Sequence, residues 1–161
     1  MSNPTDALLA YGYDLGGADG WKAEETDEYG ELAVDWYSPD TEGGFREAAQ
    51  DRLLASTGFT ERWSPQAHGY FLRRDERLRS LGVELTPYGR EQAPMYLLTA
   101  HVVRVPLGEC ADLGPDVPGR ETAEWDDALL KALGALGLTL PGQRPRWLLC
   151  ASRGASGARS A

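Results

Sequence analysis

Histidine and cysteine are scarce in this chain of 161 residues, which contains two of each. Cys110 and Cys150 stand far apart and form no C-x-x-C pair, so we expect two reduced thiols rather than a disulfide or a redox motif. His68 and His101 have no Cys or carboxylate neighbours at the spacing of a structural zinc site. The sequence therefore predicts no metal and no cofactor.

Long apolar runs are missing as well. No stretch approaches the roughly 18 apolar residues of a transmembrane helix, and the first residues lack the basic start and apolar segment of a secretory signal peptide. We therefore expect a cytoplasmic protein that does not enter a membrane. The sequence also lacks a phosphate-binding loop, a dinucleotide fingerprint, a zinc-protease motif and a nucleophile elbow. No residue is predicted to be catalytic, and a non-enzymatic role is favoured.

Basic residues are rare in the first third of the chain. Residues 1–51 hold 13 acidic and two basic side chains, whereas the remaining 110 residues hold 12 acidic and 14 basic ones. The net charge of −9 therefore arises in the first third. Neutralisation of phosphates by Lys and Arg supplies most of the affinity for nucleic acid, so direct nucleic-acid binding is not expected.

Apolar patterns along the chain predict both strands and helices. Strands are predicted from period-two alternation or short apolar runs, and helices from apolar stripes that end at glycine. The predicted strands are 7–13, 32–37, a central strand 95–105 and a last strand 147–151 that is fully buried if it lies inside the sheet, with a short extended piece at 83–85. The predicted helices are roughly 44–57, 70–81 and 125–136. This order predicts one α+β or loosely α/β domain over residues 1–152, with about four main strands in one sheet, three helices and a flexible tail at 153–161.

The most distinctive stretch is residues 6–21, DALLAYGYDLGGADGW, in which an apolar run breaks into glycines, aspartates and aromatic residues. One interpretation is a structural turn after a core strand, because glycine permits tight turns and aspartate can bond its own backbone. The other is the rim of a binding site, since binding residues concentrate on loops held by a rigid scaffold. With the acidic residues that follow, the candidate binding residues are Tyr11, Tyr13, Asp14, Asp19, Trp21, Glu24, Glu25, Asp27 and Glu28.

Three functional hypotheses follow from these residues. Aromatic side chains beside charge are enriched where proteins meet, so the first hypothesis is an acidic interaction module whose protein partner has a basic surface. The second is a small enzyme or ligand-binding protein with a pocket around Tyr11 to Trp21, and the third is a nucleic-acid mimic. The first two differ in whether Asp14 and Asp19 line a concave pocket or cap turns on a convex acidic surface. The sequence gives no indication of the oligomeric state.

Several segments resemble those of an uncharacterised family of small proteins from high-GC soil bacteria and their phages. They are LLAYGYDLGG, DEYGELAVDWY, FREAAQDRLLASTGF, PMYLLTAHVVRV and RPRWLLC. This resemblance implies no catalytic residues, and in a phage setting the partner would be a host enzyme or defence factor that the protein inhibits or modulates. Tyr11, Gly12 and Leu15 are also similar to the YGSNL loop of γ-glutamylcyclotransferases, with Tyr13 and Asp14 in place of Ser and Asn. That similarity implies the enzymatic alternative.

Overall fold

The computed structural model describes residues 5–114 and 121–153 and contains one α+β domain with a five-stranded mixed sheet and three helices. The elements, in chain order, are β1 (Thr5–Gly17), β2 (Gly20–Trp21), α1 (Gly44–Ser56), α2 (Tyr70–Ser80), β3 (Glu84–Gly89), β4 (Pro94–Val105), α3 (Ala123–Leu136) and β5 (Arg146–Arg153). The predicted fold class is confirmed. None of the helices in the described ranges has the length and apolar character needed to cross a membrane.

Strand β1 is hydrogen-bonded along both edges. It pairs antiparallel with β4 on one side and with β5 on the other, and its last residues form a tight hairpin with β2. Strand β3 pairs antiparallel with β4, and Gly89 at its end pairs in parallel with Ser152 of β5. The sheet therefore curves round until β3 meets β5.

The two faces of this curved sheet are packed differently. On the outer face, Tyr11, Leu15 and Leu98 belong to the main core with buried residues of α1 and α3. On the inner face, Leu8, Ala10 and Leu97 form a second cluster, against which Tyr88, Val102, Leu148 and Cys150 pack. Side chains alternate across a strand, so β1 supplies residues to both clusters.

Gly12 lies at a close contact between the backbones of β1 and β4. A Cβ atom at this position would stand 1.9 Å from the carbonyl oxygen of Leu98, and the pairing register shifts between Tyr11 and Gly12. A shift of this kind marks a bulge, which bends a strand and re-aims the side chains that follow. The glycine is therefore required by the contact between the two backbones.

The predicted strand at 32–37 is wrong. This segment forms only isolated bridges, Thr26 with Leu32 and Val34 with Tyr37. Its alternation reflects packing instead: Leu32 is buried, and the Trp36 indole N–H donates a 2.9 Å hydrogen bond to the Leu136 carbonyl at the end of α3. Side chains, and not a backbone ladder, hold the acidic segment against the helices.

The other elements agree with the predictions to different degrees. The three helices occupy the predicted segments, and β3 is longer than the extended piece predicted at 83–85, because it continues through Pro87 to Gly89. Strand β5 is not fully buried, since the Leu149 side chain is 76% exposed on the part of the outer face that the helices leave uncovered. Strand β5 also continues through Arg153, and the rest of the predicted tail lies outside the described residues.

Replacing Gly12 with alanine is expected to lower the free energy of unfolding by about 3 kcal/mol or more, because the β1 and β4 backbones must separate. Gly134 is a matched control: it lies inside α3, and no atom stands within 4 Å of the place that a methyl group would take there. Gly134→Ala should therefore stabilise the protein by roughly 0.5–1 kcal/mol. Denaturant unfolding of both variants measures the two effects. Equal stability of Gly12→Ala and the unsubstituted protein would contradict the role assigned to Gly12.

Candidate functional site

Tyr11 and Tyr13 point to the helix side of the sheet and are 7% and 4% exposed. The Tyr11 hydroxyl donates to Asp126 at 2.7 Å, and its ring lies 5.5 Å from that of Trp125. Burial raises the pKa of both tyrosines, so both hydroxyls stay protonated at neutral pH. Tyr11 therefore attaches α3 to the sheet, Tyr13 belongs to the same main core, and neither tyrosine presents its ring at the surface.

Trp21 also packs inward. Its ring stacks parallel to that of Tyr96, with centroids 6.3 Å apart, and lies 4.7 Å from the ring of Phe45. Trp21 and Tyr96 are only partly buried, whereas Phe45 is 2% exposed. The aromatic cluster thus fixes β2 and the start of the acidic segment onto the outer face of the sheet.

The four acidic candidates after Trp21 divide into two kinds. Both carboxylate oxygens of Glu25 accept 2.8 Å hydrogen bonds from Thr139, one from the backbone N–H and one from the hydroxyl. Asp27 Oδ1 accepts from the backbone N–H groups of Tyr29 and Glu31 and so closes a turn. Glu24 and Glu28 are exposed. Glu25 and Asp27 thus support the fold, and only Glu24 and Glu28 have carboxylates that are fully available to a partner.

Asp14 and Asp19 line a concave cavity of about 500 Å³ between β5 and the β3–β4 connection. We call it the Asp14 cavity. Its other walls include Tyr88, Arg90, Met95, Leu97, Leu148 and Cys150. Its volume is in the range that protein pockets use for small molecules. Asp14 and Asp19 thus line a depression that is open to solvent, which is the setting expected from the ligand-binding hypothesis.

Asp14 is held in place by its backbone and by one of its carboxylate oxygens. The Gln143 side chain accepts from the Asp14 backbone N–H at 3.2 Å and donates to the Asp14 carbonyl at 2.9 Å. Oδ1 accepts from the Gly16 N–H at 3.0 Å and from the Tyr88 hydroxyl at 2.9 Å. Within the described residues, Oδ2 has no hydrogen bond. The carboxylate is therefore preorganised, with one oxygen free to accept.

The protonation states of Tyr88 and Cys150 follow from the same environment. Burial, together with the hydrogen bond to the Asp14 carboxylate, raises the pKa of Tyr88 well above its ordinary range, so the hydroxyl stays a donor. Burial and the nearby charge of Asp14 raise the pKa of the Cys150 thiol. Because the thiolate is the nucleophilic form, Cys150 is suited to packing in this cavity and not to attack on a substrate.

Tyr88, Arg90, Gln143 and Cys150 were not among the predicted site residues. Tyr88 lies between Pro87 and Gly89, and Gln143 follows a Pro-Gly turn, so both positions indicated only chain reversals. Their proximity to Asp14 arises from the closure of the sheet, for which the sequence has no local signal. The sequence therefore did not indicate that Tyr88 or Gln143 contacts Asp14.

Two other kinds of site, a thiol–imidazole pair and a metal site, are absent from the described residues. His101 pairs with Tyr11 and faces Trp125 on the outer side, whereas Cys150 pairs with Leu8 and packs on the inner side. The Cys150 thiol and the His101 imidazole therefore lie on opposite faces of the sheet and do not form a catalytic pair. In the parts of the chain that the structure describes, no group of three or more His, Cys, Asp or Glu side chains is arranged to hold a metal ion. Asp14 and Asp19 have no third acidic partner of this kind.

Comparison with protein-family models, with curated proteins and with solved structures gives no match for this chain. The candidate site therefore has to be interpreted from its own chemistry.

Cys150 should react with iodoacetamide at least several-fold more slowly than the exposed Cys110, because its raised pKa leaves less thiolate at a given pH. Asp14→Asn removes a charge that raises that pKa and should speed the reaction of Cys150, since each unit of pKa changes the thiolate fraction about tenfold. Mass spectrometry of the two cysteine peptides gives both rates, with Cys110 as the internal control. Equal rates, or no effect of Asp14→Asn, would contradict this description of the cavity.

Glu25→Gln should lower the free energy of unfolding by about 0.5–1 kcal/mol, with Glu24→Gln as the neutral control. Burial acts to raise the pKa of Glu25, but the two hydrogen bonds from Thr139 outweigh it and lower the pKa below its ordinary value of 4.5. The contribution of Glu25 is therefore present above that value and is lost as the pH falls through the lowered pKa. Urea unfolding across the acidic range measures it, and identical pH profiles for Glu25→Gln and Glu24→Gln would refute it.

Proposed function

We propose that this protein binds a small molecule carrying a protonated amine in the Asp14 cavity. The observation that carries the proposal is the fixed Asp14 carboxylate, with two donors on Oδ1 and no hydrogen bond to Oδ2 within the described residues. A carboxylate held in this way accepts a charged donor without first having to be ordered. An ammonium group is the simplest ligand group that supplies such a donor.

The remaining walls support the same ligand class. Two carboxylates, Asp14 and Asp19, and one guanidinium, Arg90, line the cavity, so its charge favours a cation. Met95, Leu97 and Leu148 offer apolar contacts for the carbon skeleton of an amine. The Tyr88 hydroxyl is already committed to Asp14, and this hydrogen bond keeps the carboxylate aimed in one direction.

A binding role is favoured over covalent catalysis. The Cys150 thiol has a raised pKa and is therefore mostly protonated at neutral pH, and the Tyr88 hydroxyl donates to a carboxylate that stabilises its protonated form. Neither group is activated as a nucleophile, because activation requires a lowered pKa or an adjacent base. The enzymatic alternative implied by the similarity to γ-glutamylcyclotransferases gains no support from these two side chains.

Isothermal titration with ethanolamine, putrescine and agmatine tests the proposal. At least one amine should bind, and Asp14→Asn should weaken that amine about tenfold to a hundredfold, as expected for loss of a charged hydrogen bond. Asparagine keeps an oxygen that can accept from Gly16 and Tyr88, so the variant isolates the charge. Asp40→Asn is the control, because Asp40 is exposed and does not line the cavity.

The proposal fails if none of the three amines binds. It also fails if Asp14→Asn binds the amine as tightly as Asp40→Asn does. The neutral analogue ethanol, which has the hydroxyl of ethanolamine but no ammonium, provides a further check: equal affinity for ethanol and ethanolamine would show that charge plays no part.

A second candidate function is the binding of a protein partner with a basic surface, which one specific feature favours. Tyr29 is 82% exposed at the tip of the turn that Asp27 closes, and the exposed Glu28 and Glu31 flank it. An aromatic ring presented on an ordered acidic turn is a reasonable anchor for such a partner. The nucleic-acid mimic stays a prediction, which requires a regular spacing of these acidic side chains.

The partner hypothesis is tested by affinity capture from host lysate at low and moderate salt. The variant neutralises Glu24, Glu28 and Glu31 and leaves Glu25 and Asp27 intact, because these two support the fold. A stoichiometric partner that binds the unsubstituted protein and is lost from this variant and from Tyr29→Ala supports the hypothesis. Equal capture by both variants, or no partner at all, contradicts it.

A further inference from the structure

Asp6 is a buried carboxylate near the start of β1. It is 2% exposed, and its Oδ1 atom has no hydrogen-bond partner within the described part of the chain. Asp6 lies on the inner face of the sheet, opposite Ser152 of β5. Burying a charged or polar group without a hydrogen bond is costly, and each such group in a folded protein calls for a physical explanation.

Asp6 lines a second cavity, of about 520 Å³, which we call the Asp6 cavity. Three arginines from different elements line it as well: Arg46 of α1, Arg90 after β3 and Arg104 of β4. All three are exposed. The Asp6 cavity shares Tyr88, Gly89 and Arg90 with the Asp14 cavity.

The arginines of the Asp6 cavity are not committed to carboxylates of the protein. The described residues contain three salt bridges, and they involve Arg52, Arg73 and Arg74. Arg46 uses its Nε–H to bond the Leu85 carbonyl, which fixes the position of its guanidinium. A guanidinium presents a planar fork of donors that matches carboxylate, sulfonate and phosphate groups.

The charged side chains that line the Asp6 cavity differ in their exposure to solvent. Asp6 is buried, whereas Arg46, Arg90, Arg104 and a second acidic residue, Glu91, are exposed; we call these four exposed residues the rim of the cavity. Three positive and two negative side chains leave a small positive excess. Tyr88, Tyr96 and Pro94 provide the less polar part of the wall.

We propose that the Asp6 cavity binds a small dipolar ion. Its ammonium group donates to the Asp6 carboxylate, and its acidic group contacts the arginines at the rim. Such a ligand satisfies the buried carboxylate and neutralises the rim at the same time. This inference does not rest on the proposed function, since the Asp14 cavity is acidic overall and lacks both Arg46 and Arg104.

Taurine and ethanesulfonate form a matched pair of probes, because they share the sulfonate and only taurine has an ammonium. Taurine should bind the unsubstituted protein at least about tenfold more tightly, which corresponds to one charged hydrogen bond. Asp6→Asn should abolish this preference, and Arg104→Gln should weaken both probes. Asp40→Asn should change neither, because Asp40 is exposed and lines neither cavity. Isothermal titration measures all four proteins.

The nature of the acidic group is tested with two more pairs: β-alanine against propionate, and phosphoethanolamine against ethyl phosphate. A preference for the amine in any one pair that depends on Asp6 supports the proposal and identifies the acidic group. Equal affinities within every pair, or no binding of any amine, would overturn it.

An internal ion pair between Asp6 and Arg104 is the competing explanation. It predicts no binding of the probes and a strongly non-additive loss of stability in a double-mutant cycle of Asp6→Asn with Arg104→Gln. That result would overturn the proposal. If Asp6→Asn fails to fold, two results still support the proposal: taurine binds more tightly than ethanesulfonate, and both Arg104→Gln and Arg90→Gln weaken taurine binding. The absence of either result refutes the proposal.

Discussion

The structure depends on strand β1 being hydrogen-bonded along both edges while it passes β4 at a distance that only glycine permits at position 12. Because side chains alternate along a strand, β1 supplies side chains to both faces of the sheet. Tyr11 on the outer face bonds the start of α3, and Asp14 on the inner side bonds Tyr88 of β3. The same strand therefore anchors the helices and positions the carboxylate of the candidate site.

The acidity of the first third of the chain has more than one structural use. Glu25 and Asp27 accept hydrogen bonds that attach and close the segment after β2. Asp14 and Asp19 line the cavity, and Asp6 is buried beside a set of arginines. Glu24 and Glu28 remain as exposed charge. The net charge of this third is thus a poor guide to a single binding surface, whereas the individual carboxylates have distinct chemical surroundings.

Local patterns predicted most of the fold and little of the site. The stripe ending at Leu136 and the apolar runs of β1 and β4 have periods that packing requires, so these elements were predictable. The alternation at Leu32 to Trp36 was misleading, because the same pattern arises when side chains pack without a backbone ladder. Asp14 was among the predicted binding residues, but Tyr88, Gln143 and Cys150 reach it only because the sheet closes, and closure depends on contacts between distant segments.

Amide NMR titration of the unsubstituted protein, with the amine that binds most tightly, tests most directly whether the fixed Asp14 carboxylate defines the binding site. We expect the largest shifts at Asp14, Tyr88, Met95 and Cys150, which surround this carboxylate in the Asp14 cavity. Shifts concentrated in the acidic segment from Glu24 to Glu31, with the cavity residues unchanged, would contradict this assignment and favour a charged surface as the site of interaction.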